Sequence, residues 1–286
     1  MRAAALPCVV LLLAAGPAAQ GPSAAAVVDR ASAYVAAYQE QLTSVVADET
    51  YTQQVRAQVP RDNGMPPSRT TTSEIFFLHL PGHDWMAMRD VATIDGRPVT
   101  DRPDLKRALG RLAAPDVARD FKTFNSRYNL GRVFRNFNEP TLSLLVLDPR
   151  HRARFTFSRR RSASMNGVAV EVIGFRETRE PTLIRGLAGE PVYATGEFAV
   201  EPESGRIHRA LLAVAIGPLR ITLSTTYAED AKLEMLVPVR FGENYEDGRP
   251  PAARARTVAA SERYEHVVCE AKYSNFRRFE VKAVVR

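Results

Sequence analysis

Two histidines and an aspartate have the residue types of a metal site. His79 and His83 lie four residues apart, and Asp84 offers a third ligand. Pro81 and Gly82 separate the histidines, so the pair does not share a helical face. A spacing of four residues therefore does not indicate a metal site here. We predict solvated loop residues here, and a metal site is the alternative that the sequence favours less. No metal and no cofactor are expected.

The adjacent carboxylates Asp48 and Glu49 are a second candidate for chemistry. They lie where a helical pattern passes into an alternating one. Two carboxylates can divide acid and base roles only if their environments differ, and neighbours on a strand point to opposite faces. One of the two is therefore expected to point inward. We predict a structural role with an arginine partner, and a hydrolase site on this pair or near His79 is the alternative.

Cys269 is the third candidate. It lies in the alternating stretch VVCEAKY with Val267 and Ala271 on its face, which predicts a buried and inert thiol. The chain contains no G-x-S-x-G, G-x-G-x-x-G, phosphate-binding P-loop, H-E-x-x-H or paired C-x-x-C. We therefore expect that the protein is not an enzyme.

The first twenty residues have the three-part pattern of a secretory signal, with Arg2, an apolar run over 3–15 and small residues after it. The run is shorter than the about 20 residues that a membrane-spanning helix needs. Cys8 lies inside it, so the mature chain keeps one cysteine and forms no internal disulfide. We predict a signal peptide over 1–20, a single domain over 21–286, and a soluble mature protein in the periplasm or outside the cell.

The pattern of apolar residues predicts the elements that position these groups. After the N-cap Ser23, apolar residues recur at spacings of three and four as far as Val45, which predicts an amphipathic helix lying on a sheet. Three strands follow from Asp48. Two stretches with helical spacing and one short apolar stretch predict a helical insertion over about 102–148. From Arg154 onward the period is mostly two, and turn residues separate the strands.

These late strands have no crossover helices between them, so they must pair as an antiparallel meander. The predicted fold class is α+β. It consists of a large curved antiparallel β-sheet, an incomplete barrel, with the N-terminal and central helices packed on its concave face. A comparison of sheet and helix areas leaves on the order of a few hundred Å² of apolar sheet uncovered, which permits a groove.

The charge of the chain is basic and comes from arginine. Of 39 Lys and Arg residues only five are Lys, and the formal net charge is +7. Guanidinium groups suit phosphate and carboxylate partners, although codon composition alone also accounts for the excess. Because export separates the protein from nucleic acid, the expected partners are lipid head groups, proteins or anionic polymers of the envelope. The arginines expected to contact such partners are Arg254, Arg256, Arg277 and Arg278.

Several segments carry a resemblance to known families. The signal, the N-terminal helix, the hairpin GEFAVEPESGRIHRA, the pair LSTTYAED and LVPVRF, and AKYSNFRRFEV together resemble the periplasmic lipoprotein-carrier superfamily of outer-membrane lipoprotein sorting proteins. RYNLG, PTLSLL, PTLIR and YSNFRRF also resemble an uncharacterised group of secreted bacterial proteins. The resemblance implies an incomplete barrel with an apolar groove for acyl chains. It transfers no binding residue. The insertion over 102–148 is larger than in a simple carrier, and both an open groove and a groove filled by this insertion are compatible with the sequence.

Two hypotheses of function follow. In the first, a non-enzymatic envelope protein binds a lipid or the acylated segment of a lipoprotein in the groove of the sheet. The groove wall would consist of Leu219, Ile221, Leu223, Leu233, Met235 and Val237. In the second, the core is filled, and arginine-rich surfaces bind a protein or an anionic polymer of the envelope.

Overall fold

The computed structural model describes residues 22–79, 85–103, 123–135, 139–249 and 263–279.

Helix α1 spans Ala24–Leu42, as the apolar stripe predicts. The amide of Ala26 donates to Ser23 Oγ over 3.2 Å, which caps the first turn. The stripe is buried along the length of the helix. Val45 does not continue it, however, because Ser44 adopts a φ of 65° and turns the chain into the first strand.

Thirteen strands and two short 3₁₀ helices follow α1 in the described part of the chain. The first strands are β1 Val45–Val59, β2 Ser68–His79, β3 Trp85–Ile94 and β4 Arg97–Pro98. The 3₁₀ helices are η1 Leu142–Leu147 and η2 Arg152–Arg154. The remaining strands are β5 Phe155–Met165, β6 Val168–Glu177, β7 Ile184–Arg185, β8 Pro191–Val192, β9 Thr195–Val200, β10 Ile207–Ile216, β11 Leu219–Asp230, β12 Met235–Gly248 and β13 Tyr264–Arg278.

Eleven of these strands form one sheet in the order β4-β3-β2-β1-β13-β12-β11-β10-β9-β6-β5. Each pair of neighbours is antiparallel, so the predicted meander of late strands is confirmed. Strands β4 and β5 are the two edges, and the described sheet is therefore not closed into a barrel. β7 and β8 form a separate small hairpin. The pairing of β1 with β13 joins the first four strands to the others.

Helix α1 packs on one face of the sheet, which we call the inner face. The rings of Tyr38 and Tyr227 meet edge to face with their centroids 6.3 Å apart. Ser32 Oγ donates to the carbonyl of Leu147 over 2.7 Å, so η1 lies against the same helix. Together α1, η1 and the inner face bury one continuous apolar core.

The predicted helical insertion over 102–148 is helical in only part of its described residues, because 127–135 forms turns and irregular chain. A single helical turn covers 123–126, and the short apolar stretch forms η1. Residues 104–122, which carry most of the two predicted central helices, lie outside the described residues.

The turn between β9 and β10 holds the sheet to α1. Gly205 has a φ of 75°, and a Cβ there would lie 2.4 Å from the carbonyl carbon of Arg30 in the helix. Arg30 also donates to the carbonyl of Pro202 over 2.7 Å. A glycine is needed at this turn because the two backbones approach so closely.

Candidate functional site

A cluster of buried polar side chains lies on the inner face of β1, β2 and β3. Glu49 points inward and is 2% exposed. Arg89 Nε lies 2.7 Å and 3.0 Å from the two carboxylate oxygens of Glu49, and Ser73 Oγ donates to the same group over 2.9 Å. Both oxygens of this carboxylate therefore accept hydrogen bonds.

Asp48 points to the opposite, outer face, as strand alternation predicts. Its carboxylate accepts hydrogen bonds from Asn275 over 3.0 Å and from Arg277 over 2.8 Å. These bonds, first that from Asn275, lower the pKa of Asp48 below its usual range. Both carboxylates of the pair thus have arginine partners, in agreement with the predicted structural role.

Residues 128–135, which we call the covering segment, lie over the inner face of β1 and β13. The backbone of Leu130 donates to Gln53 Oε1 over 2.8 Å, and Gln53 Nε2 donates to the carbonyl of Tyr128 over 3.0 Å. Arg135 is 3% exposed and donates to Gln53 Oε1 over 2.6 Å and to Cys269 Sγ over 2.7 Å. The segment is therefore attached to the sheet by hydrogen bonds that are out of contact with water.

Burial makes two titratable groups near Arg135 weaker acids. Burial raises the pKa of Glu243, and the nearby Arg135 and the Tyr245 hydroxyl that donates to the carboxylate offset only part of the effect. Burial also raises the pKa of Cys269 to about 12. The thiol is 2% exposed and remains protonated at neutral pH, so its geometry agrees with the predicted inert cysteine.

A small pocket lies between this cluster and the covering segment. Its volume is about 50 Å³, and its lining includes Tyr51, Arg89, Asn125, Tyr128 and Arg135. An apolar cavity of roughly 150 Å³ is needed to hold benzene. The pocket therefore has room for water and not for an acyl chain.

The six side chains predicted as a groove wall lie on or beside the apolar core. Ile221, Leu223, Met235 and Val237 are between 0% and 5% exposed, and the other two are partly buried against the same core. The strand that carries Leu223 is covered by the residues leading into η1, because the hydroxyls of Thr225 and Tyr227 donate to the carbonyl of Pro140 over 2.6 Å and 3.0 Å.

The predicted anion-contacting arginines are placed differently from one another. Arg277 is held by Asp48 and Glu74, and Arg278 donates to the carbonyl of Gln41 over 3.0 Å. Arg254 and Arg256 lie outside the described residues.

The histidine region is described only in part. His83 and Asp84 lie outside the described residues, and His79 ends β2. Within the described part of the chain, no group of three or more His, Cys, Asp or Glu side chains is placed to hold a metal ion.

Arg89, Arg135 and Glu243 belong to the cluster but were not predicted as site residues. Two of them had a detectable signal. Arg89 alternates with inward-facing Ala87 and Val91 along β3, and Glu243 lies between the inward Phe241 and Tyr245 along β12. A charged residue at an apolar position of a period-two pattern indicates a buried charge. Arg135 lies in an irregular segment, where no such period exists.

Comparisons with known proteins show distant similarities in structure alone. No protein-family model matches the chain, and no curated protein matches it. The chain is similar to a domain from Vibrio parahaemolyticus named for outer membrane lipoprotein sorting, with 10% identity, coverage of 88% of this chain and 93% of that chain, and a TM-score of 0.42. It is also similar to a DUF1329 family protein from Desulfovibrio piger, with 8% identity, coverage of 89% and 92%, and a TM-score of 0.39.

The name of the Vibrio parahaemolyticus domain refers to outer membrane lipoprotein sorting, and the sequence of this chain resembles the same group of proteins. None of the described helices has the length and apolar character needed to cross a bilayer.

Proposed function

We propose that this is a non-enzymatic periplasmic or secreted protein that binds an anionic or protein partner of the cell envelope through its outer surface. The observation that carries the proposal is the filled inner face. The side chains of Ile221 and Leu223, at the centre of the proposed groove wall, are 1% and 0% exposed beneath other parts of the same chain. This burial supports a binding surface outside the inner face.

The chemistry of the buried cluster supports binding over catalysis. Glu49 is paired with Arg89, the Cys269 thiol is protonated, and the pKa of Glu243 is raised. A general base or a nucleophile needs an ionisable group that reaches its substrate. These groups instead attach the covering segment to the sheet.

Binding of a lipid or an acylated lipoprotein segment is the second candidate. It is favoured by the continuity of the apolar inner face, which extends from Leu212 on β10 through Leu223 to Phe241 on β12. Because α1 and η1 already cover this surface, a ligand would have to displace one of them. The two candidates therefore differ in whether the interior opens.

Native mass spectrometry of the gently purified mature protein separates the candidates. We expect the mass of the polypeptide alone and no saturable uptake of a fluorescent fatty acid. We also expect retention on an immobilised acidic polymer that falls as ionic strength rises, because exposed charge pairs are screened by salt. A stoichiometric bound lipid, or retention that is independent of salt, would contradict the proposal.

The arginines proposed from the sequence provide a variant for the same assay. We expect Arg254→Ala/Arg256→Ala to elute at lower salt if these residues contact the partner. Arg277→Ala is the comparison, since Arg277 is already paired with Asp48 and Glu74 and its loss should affect stability more than retention.

A further inference from the structure

A depression of about 610 Å³ lies at the β5 side of the sheet, across β5, β6, β9 and β10. We call it the arginine groove. Its lining includes Arg160, Arg161, Arg176, Thr195, Glu197 and Leu211. All three arginines are exposed, and Leu211 is half-buried.

A β-bulge in the edge strand β5 builds this groove. Arg159 lies opposite Ile173 and Arg161 lies opposite Val172, so Arg160 is the extra residue. Its side chain crosses Gly174, where an added Cβ would lie 2.3 Å from Arg160 Nε. The missing side chain at this glycine leaves the space in which the arginine lies flat on the sheet.

The groove has more positive than negative charge. Glu197 is the one carboxylate among its lining residues, and it is shared by Arg209 at 2.5 Å and Arg161 at 3.5 Å. Within the part of the chain that the structure describes, Arg160 and Arg176 form no ion pair. Planar guanidinium groups bind phosphate oxygens with two parallel hydrogen bonds, so this excess suits phosphate.

An exposed apolar hairpin is inserted in the chain between Arg176 and Thr195, two residues that line the groove. The chain leaves the sheet directly after Arg176 and Glu177, forms β7 and β8, and returns at Thr195. Leu187 at its tip is 91% exposed and Tyr193 is 46% exposed. Of the three large exposed hydrophobic side chains in the described residues, two therefore belong to this hairpin.

The tip that carries Leu187 is a structured turn. The amide of Gly186 donates to the carbonyl of Glu190 over 2.9 Å, and the amide of Gly189 donates to the carbonyl of Gly186 over 3.0 Å. At the base, Glu177 accepts from the amides of Leu183 and Ala194 over 2.7 Å and 3.0 Å. The exposed leucine is thus presented by an ordered element.

We propose that the arginine groove and the β7–β8 hairpin dock this side of the sheet onto an anionic bilayer surface. The arginines bind lipid phosphates, and Leu187 enters the interfacial region. A soluble phosphate would use the arginines alone, whereas basic residues together with an exposed apolar side chain are typical of membrane-surface binding. The inference deepens the proposed function and rests on it for a location in the envelope.

Sedimentation of the mature protein with vesicles tests this inference. We expect binding to vesicles that contain phosphatidylglycerol and little binding to pure phosphatidylcholine. Arg160→Ala/Arg176→Ala should weaken binding by about tenfold or more, because two arginine contacts with an anionic surface are lost. Leu187→Ser should also weaken it, while thermal unfolding shows that both variants remain folded.

The matched control is Arg56→Ala/Arg97→Ala, which removes the same charge. Both residues are exposed, form no ion pair within the described residues, and lie in β1 and β4, towards the opposite edge of the sheet. We expect the control to change vesicle binding less than about twofold, since few of its contacts would involve the bilayer. If the control lost as much vesicle binding as Arg160→Ala/Arg176→Ala, net charge alone would account for the loss. The assignment of the arginine groove as the binding surface would then be overturned.

Three other outcomes would overturn the docking proposal. These are equal binding to both vesicle types, unchanged binding of Leu187→Ser, and binding to soluble polyphosphate without binding to vesicles. Failure of the proposed function gives a different result. A lipid found inside the purified protein would contradict the filled interior and leave the effects of Arg160 and Leu187 on vesicle binding unchanged.

Discussion

The ion pair between Glu49 and Arg89 provides a direct test of whether the inner face is filled. Arg89 Nε lies within 3.0 Å of both Glu49 oxygens, and the two side chains are 0% and 12% exposed. Removing one partner of a buried pair leaves an uncompensated charge away from water, which costs about 3–5 kcal/mol. We therefore expect Glu49→Leu and Arg89→Met each to lower the free energy of unfolding by about that amount.

The double variant Glu49→Leu/Arg89→Met should recover most of this loss. It replaces both charges by apolar groups, which is often nearly neutral at a buried site. Ser73 then loses its acceptor, which costs about 1 kcal/mol. We expect the double variant to unfold within about 2 kcal/mol of the natural sequence, as measured by urea unfolding with two spectroscopic probes.

The exposed pair Arg240 and Glu270 is the control for this cycle. Its nitrogen and oxygen lie 3.1 Å apart, and the side chains are 58% and 40% exposed. Exposed pairs contribute about 0–1 kcal/mol, so the same cycle there should show little coupling. If the variants of Glu49 and Arg89 cost as little as this control and their effects add, the cluster is hydrated. The inner face would then be an open groove, and the argument for a filled interior would fail.

Two further predictions test the packing of the core. Gly205→Ala should cost about 1–3 kcal/mol of stability in thermal unfolding because it combines a positive φ with a collision against Arg30 of α1. Gly217→Ala, with a φ of 55° and open space around it, is the control, and an equal loss in both would contradict the close approach. Cys269 should resist iodoacetamide at pH 8 in the folded protein and react in urea, since burial raises its pKa to about 12; rapid labelling of the folded protein would contradict this.

The elements with a local signal are predictable from the sequence. The Ser23 cap and the apolar stripe place α1, and Asp95 and Gly96 have the positive φ values that an Asp-Gly turn requires. Strand alternation also predicts that Asp48 and Glu49 point to opposite faces. Each of these features depends on residues that are close together in the chain, so a short stretch of sequence contains the information.

The candidate site is less predictable because its contacts join distant parts of the chain. The pairing of β1 with β13 and the hydrogen bonds of Arg135 to Gln53 and Cys269 connect segments far apart in sequence. The position of Arg160 in the groove could not be predicted from the sequence either. It depends on a β-bulge that shifts the register of β5, and no residue type in that strand requires a bulge.

The magnitudes of apolar burial explain why α1 would stay on the sheet in the presence of an acyl chain. Five large side chains of α1 are at most 3% exposed, and each contributes about 1.5–3 kcal/mol, or about 8–15 kcal/mol in all. A ten-carbon chain in the same position would contribute about 8 kcal/mol at about 0.8 kcal/mol for each methylene. The ligand would therefore at best equal the helix it displaces, while the uncovered stripe of α1 would face water. An apolar ligand could bind there only if α1 found another apolar surface, and for this reason we assign the outer surface as the binding surface.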